Sequence, residues 1–235
     1  MVIDLKVAQL LISRLCHDLV GPLGAVNAGV ELIAEESGGG GLNGHLEETV
    51  GLIGSSAGVA AARLSFFRLA FGAGGSGGVN PDAHIKDAEI LTRDFLAGGR
   101  VTLDWEFSGV ASPEIPLAGV KLLLNMVILG AEALPRGGGL TLTAAGQDAG
   151  YRLEVLAVGD GARLGGDIQA VLVADPDEKT LKSLDARTVV AYFAAAQAQA
   201  LGAVLEAEAD GHGRVGFQAL VSETWNSYTQ PVERS

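Results

Sequence analysis

Two apolar seams separated by a glycine-rich turn limit what the first third of this chain can become. From Leu5 the apolar positions run Leu5, Ala8, Ile12, Leu15, Leu19, Leu23, Val26, Val30 and Ile33, in alternating steps of three and four except between Leu19 and Leu23. After SGGGGLNG a second seam runs Leu46, Val50, Ile53, Ala57, Ala60, Leu64, Phe67 and Phe71 with no exception. Such steps are those of a coiled-coil stripe, and two of them around a short turn predict an antiparallel helical hairpin. Each segment of about 30 residues makes a helix roughly 40 Å long. Leu11 and Phe66 lie beside the seams and widen them. Two such helices alone leave much of their stripe wet. The simplest remedy is pairing of two hairpins into a four-helix bundle, which makes the protein a homodimer; the alternative is cover from the C-terminal half of the same chain.

The run GAGGSGGVN, residues 72–80, separates the hairpin from the rest as a flexible connector. As a phosphate-cradling loop it fails, because no Lys-Ser or Lys-Thr follows and it comes after a helix rather than a strand. Asn80 caps a helix with Pro81 at its first position, and Gly98-Gly99 ends it. Strands follow near 101–107, 140–145 and 151–158, with a helix near 117–134 between the first two. A helix near 186–201 then precedes a hairpin of 204–209 and 214–221 turned by DGHG. The fold class is α+β: residues 1–73 form the helical hairpin, 80–225 an α/β sandwich, and 226–235 a C-terminal tail. With 235 residues, 48% hydrophobic and 19% charged, the chain can build a core in each part.

His17 lies two residues from both Leu15 and Leu19, so at about 100° per residue it points roughly 200° from the seam on either side. The usual role of a lone histidine, packing in a core, requires burial, and this one faces water. Neutral imidazole is a nucleophile at physiological pH and suits phosphoryl carriage. On the same face stand Ser13, Arg14, Gly21, Gly24 and Ala28, mostly small residues that leave ground for another protein. Asp18 is placed to hydrogen-bond the other ring nitrogen, and Arg14 to steady phosphate oxygens. Pro22 removes a helical hydrogen bond at the irregular step of the seam, where a bend is expected.

The run His17-Asp18-Leu19-Val20-Gly21-Pro22-Leu23 resembles the H-box of histidine kinases. The wider stretches SRLCHDLVGPLGAVNAGVELI and KLLLNMVILGAEALPRGG are similar to the ChpT-type histidine phosphotransferases of alphaproteobacteria, and the order of elements matches over essentially the whole chain. That family resembles a histidine-kinase core whose ATPase-like domain no longer binds ATP. The resemblance implies phosphoryl transfer from an aspartate of a hybrid kinase's receiver domain to His17, then to the aspartate of a response regulator. It implies a CckA-like kinase and CtrA-like and CpdR-like regulators as partners, no cofactor of its own, and magnesium supplied by the receiver domain.

A kinase would place a second asparagine four residues after Asn125, where this chain has Leu129, and leucine cannot ligate magnesium. Val158-Gly159-Asp160-Gly161-Ala162 resembles the kinase motif whose aspartate reads adenine, but Ala162 stands where a glycine is expected, so Asp160-Gly161 is read as a turn. SLDARTVV stands where a glycine-rich lid is expected. Autokinase activity is therefore disfavoured, and a non-catalytic adaptor that binds receiver domains is the rival from another class.

The net charge of −12 and the lack of a basic stripe exclude nucleic acid as a partner. The lone Cys16 rules out an internal disulfide and a cysteine-rich metal site. His45, His84 and His212 lack ligand spacing, so no metal site is expected. The N-terminal segment lacks the order of a signal peptide, and the apolar stretches around residues 121–135 and 189–205 are broken by Lys121, Asn125, Glu132, Gln197 and Gln199. The expected location is the cytoplasm, without membrane attachment.

Overall fold

The computed structural model describes residues 4–38, 46–72, 81–107, 115–147, 150–174 and 178–222. Most of the SGGGGLNG turn, His45, the connector from residue 73, Asn80 and the tail 226–235 lie outside the described residues, as does the side chain of His84. The elements are α1 (Leu5–Gly38), α2 (Leu46–Phe71), α3 (Pro81–Leu96), β1 (Val101–Glu106), α4 (Leu117–Glu132) and β2 (Gly138–Gln147). They continue with β3 (Gly150–Val158), α5 (Gly166–Val173), α6 (Glu178–Ser183), α7 (Val189–Ala200), β4 (Leu205–Ala209) and β5 (Arg214–Ser222).

α1 and α2 pack side by side, closely enough at Gly29 that a Cβ there would come within 2.5 Å of the Ile53 side chain. Burial splits each seam in two. Ala8, Leu15, Val26 and Ile33 of α1 are half-buried, and of their counterparts in α2 Ile53 is half-buried while Ala60 and Phe67 are buried. The alternate positions Leu5, Ile12, Leu23 and Val30, with Val50, Ala57 and Leu64, are exposed.

Leu11 and Phe66 do not widen that open stripe. They point to the other side of the hairpin, into the core shared with the C-terminal half, together with Val7, Phe67 and Ala70. Phe66 stacks on Phe95 of α3 with centroids 4.1 Å apart, and Phe71 meets Phe193 of α7 edge-on at 5.8 Å. Polar ties flank this contact. Lys6 Nζ donates to the carbonyls of Leu181 and Lys182 at 2.9 and 2.8 Å, and Lys121 Nζ to that of Gly72 at 2.6 Å. By length and composition α2 is long and apolar enough to cross a membrane. Its last turns, however, are built into the protein core.

The second half is a five-stranded mixed sheet in the order β1-β2-β3-β5-β4. β1 and β2 are parallel, as the intervening α4 requires, and the other pairs are antiparallel. Leu140, Leu142, Leu153, Val155, Ala157, Val215, Phe217 and Ala219 alternate along the strands toward a buried face. From Gly119 to Gly130 every residue of α4 except Lys121 is buried, because this helix packs against the sheet and also against α2, α3 and α7. A helix covered on all sides has to be apolar all round.

Two short helices, α5 and α6, are absent from the sequence reading; at eight and six residues they are too short to display a helical stripe. The helix expected from residue 186 starts at Val189, because Asp185 ties down the turn before it. Asp185 Oδ1 accepts from the backbone N–H groups of Arg187 and Thr188 and from Thr188 Oγ1, each at 2.9 Å. Thr188 Oγ1 in turn accepts from the Asp185 N–H at 3.0 Å. The backbone hydrogen bond from Thr188 leads in holding the Asp185 carboxyl below its ordinary range. Asp185→Ala is expected to lower stability by about 1 kcal/mol at pH 7, as loss of a helix-start cap does. A depressed folded-state pKa stabilises above the unfolded value and ceases to do so as pH falls through the folded one. The difference in melting temperature between variant and wild type should therefore close in acid, below the ordinary aspartate range, and a constant difference would assign the effect elsewhere.

Candidate functional site

His17 sits midway along α1 with its side chain 84% exposed. Its Nδ1 lies 3.1 Å from Asp18 Oδ1. A carboxylate only accepts, so Nδ1 carries the proton and Nε2 presents its lone pair to solvent. Ser13, Gly21, Gly24 and Ala28 are exposed, and a Cβ added at Gly21 or Gly24 would meet nothing within 4 Å. Nothing in this chain's own packing calls for small residues at those two positions.

Arg14 is placed differently from the phosphate contact the sequence suggests. Its guanidinium is committed, with Nε donating to Asp18 Oδ2 at 3.2 Å and a terminal nitrogen pairing with Glu132 Oε1 at the end of α4. The other terminal nitrogen is 3.4 Å from the Ala186 carbonyl. Burial alone works against the Arg14 charge, but the carboxylates of Glu132 and Asp18 outweigh it and hold its pKa above the ordinary arginine value. Burial pushes the Glu132 carboxyl above its ordinary range, with Arg14 pulling the other way. A continuous line of polar contacts thus runs His17, Asp18, Arg14, Glu132.

α1 runs unbroken through Pro22. The missing N–H of a proline leaves the carbonyl four residues earlier without its helical partner, and that carbonyl belongs to Asp18. Arg63 of α2 meets it, donating at 2.6 Å.

Arg63 and Glu132 are the two residues of the site that sequence reasoning missed. Arg63 carries one signal: it falls between Ala60 and Phe67 in the half of α2 that the hairpin buries. Glu132 carries another, being an acid at a helix C-terminus, where the helix dipole disfavours negative charge unless a cation answers it.

Asn125 is fully buried, its amide nitrogen within 3.2 Å of the Ala70 and Lys121 carbonyls and of Gln197 Oε1. Leu129 is buried beside it. Asp160 stands in an exposed turn, paired with Arg136 at 2.7 Å, and Gly161 takes the left-handed φ of +69° that the turn requires. Among the described residues no group of three or more His, Cys, Asp or Glu side chains is placed to hold a metal ion.

The chain is similar to known proteins over much of its length. The family model described as "Histidine phosphotransferase C-terminal domain" matches residues 85–213. Protein phosphotransferase ChpT of Brucella abortus (strain 2308) is 40% identical over 155 residues, which cover 66% of this chain and 68% of that protein. A solved bacterial phosphotransferase matches 93% of this chain and 98% of its own with 32% identity and a TM-score of 0.72. Matched over more than half its length by the family's domain and over nearly all of it by a solved phosphotransferase, the chain belongs to the histidine phosphotransferase family and works by phosphoryl transfer in a phosphorelay of two-component signalling.

Proposed function

We propose that His17 is the phosphoryl carrier, loaded from the phospho-aspartate of a hybrid kinase's receiver domain and unloaded onto the aspartate of a response regulator. The observation that carries this reading is the pairing of His17 Nδ1 with Asp18 at 3.1 Å on a ring that is 84% exposed. In the forward step Nε2 attacks phosphorus of the acyl phosphate, the N–P bond forms, the P–O bond to the receiver's aspartate breaks, and that carboxylate leaves with the electron pair. The ring becomes a phospho-imidazolium whose Nδ1–H stays on Asp18, and no proton has to move. Transfer onward is the same step reversed on a second receiver. Any magnesium the chemistry needs arrives with the receiver domain; the carboxylate beside His17 belongs to Asp18, and both its oxygens are already engaged by His17 and Arg14. The sealed Asn125 supports a phosphoryl source other than ATP.

The partners of this reading are a CckA-like hybrid kinase and CtrA-like and CpdR-like regulators, meeting the bare ground around Gly21, Gly24 and Ala28 in the cytoplasm, with no nucleic acid and no membrane. Incubation with a radiolabelled phospho-receiver should give acid-labile label on the chain, while labelled ATP should give none. Label from ATP alone would overturn the reading.

The same reading has two hairpins pairing through the open half of each seam. Ile12, Leu23, Val30, Val50 and Leu64 are each at least half exposed in the single chain, a stripe too apolar to leave wet. Leu64→Asp is expected to halve the mass on sizing chromatography while leaving the helical circular dichroism intact, because Leu64 contributes little to the fold of one chain. An unchanged mass would count against pairing along this face.

A further inference from the structure

Glu132 stands at the end of α4, outside the hairpin that carries His17 and Asp18, and reaches that helix through Arg14. Four charged side chains from three helices are joined by polar contacts that lead to His17 through Asp18. Asp18 and Arg14 belong to α1, Arg63 to α2 and Glu132 to α4. Arg63 donates to the Asp18 backbone carbonyl, and Arg14 bridges the Asp18 and Glu132 carboxylates. Two acids and two guanidiniums balance. Arg187, whose charge also reaches Glu132, is 74% exposed and stands 3.8 Å from Asp167 Oδ2.

Phosphorylation changes this balance, because a neutral imidazole becomes a phospho-imidazolium with its cationic N–H on Asp18. Without Glu132, two guanidiniums would face one carboxylate, and the cluster would carry a net positive charge where the ring has to become cationic. We propose that Glu132 is a positioning residue of the phosphotransfer site, holding and neutralising Arg14 so that Asp18 stays on His17 Nδ1 with its charge free to support the phosphorylated ring. The second half of the chain then takes part in the chemistry through the end of α4. This inference rests on the reading of His17 as the carrier.

Two variants separate charge from shape. Glu132→Gln keeps an acceptor for Arg14 but removes the charge, and Glu132→Ala removes both. The partly exposed end of a helix tolerates either, and melting curves serve as the check on folding. Loss of one unit charge relayed through Arg14 and Asp18, partly screened, is expected to slow loading of His17 from a phospho-receiver about fivefold in kcat with KM little changed. The glutamine variant should be nearly as slow as the alanine variant. The second readout is the ring tautomer of His17, read by NMR in ¹⁵N-histidine-labelled protein without any receiver. Both variants should reduce the Nδ1–H tautomer that Asp18 holds. A His17 tautomer unchanged in both variants would overturn the proposal, and so would full activity in Glu132→Gln. That readout needs no phosphoryl transfer, so a wild type that accepts no label sinks the functional reading while Glu132 is still judged by NMR.

Discussion

His17→Ala should abolish acid-labile labelling from a phospho-receiver, a loss of at least a hundredfold, and leave folding, mass and melting temperature where they were. The loss follows from chemistry. The nitrogen proposed as the carrier is removed outright, and alanine offers no nucleophile in its place. The unchanged stability follows from geometry. The ring is 84% exposed, its polar contact among the described residues is with the neighbouring Asp18, and Asp18 retains its partner Arg14 when the ring is gone. Surface substitutions of this kind stay within about 0.5 kcal/mol, and alanine is the best helix former. Label accepted from the receiver by the variant would place the carrier on another residue. His212, whose backbone N–H is tied to Asp210 at the tip of the β4–β5 turn, would be the next to replace.

What periodicity can reveal and what it cannot are both visible around this residue. The exposure of His17 is a local property of a helix, and a spacing of three and four encodes it directly, whereas the split of each seam into a covered and an open half appears only once α1 packs on α2. The same spacing says nothing about which side of the hairpin meets the rest of the chain. Leu11 and Phe66 illustrate the difference: as apolar flanks of a seam they look like extra width for a dimer face, and only α3, α4 and α7 packing against them makes them interior. Asp18 was legible because it adjoins His17 in sequence. Arg63 is 45 residues away from it and Glu132 118 residues away from Arg14, so no local pattern joins them to the site. Both nevertheless break a local rule, a charge in a buried column and an acid at a helix C-terminus, and each exception is explained by an arginine contact between α1 and its neighbour. Arg14 stands one turn from His17, where a side chain can reach either outward to a phosphate or inward to carboxylates that the sequence does not place; here it meets Asp18 and Glu132.

The contact on which that geometry hangs can be tested at Phe66. This ring is wholly buried, stacked on Phe95 at 4.1 Å and 15° and set edge-on to Phe67 at 6.0 Å. Phe66→Ala leaves a cavity the size of a benzene ring between α2 and α3, in a core that also includes Phe67 and Ala70. Buried phenylalanine to alanine changes lower stability by about 3–5 kcal/mol, the lost transfer free energy plus the cavity. In a chain of this size that amounts to roughly 10 °C of melting temperature. Because the ring joins the hairpin to the second half, the variant should also loosen the approach of Glu132 to Arg14 and so slow phosphoryl loading at temperatures where it is still folded. Ile90→Ala, on the same α3 but 59% exposed, supplies the control and should do neither. If Phe66→Ala melted within about 2 °C of wild type, well short of the shift a cavity implies, α2 would not be packed on α3 as described, and the line of contacts from α4 to His17 would lose its support.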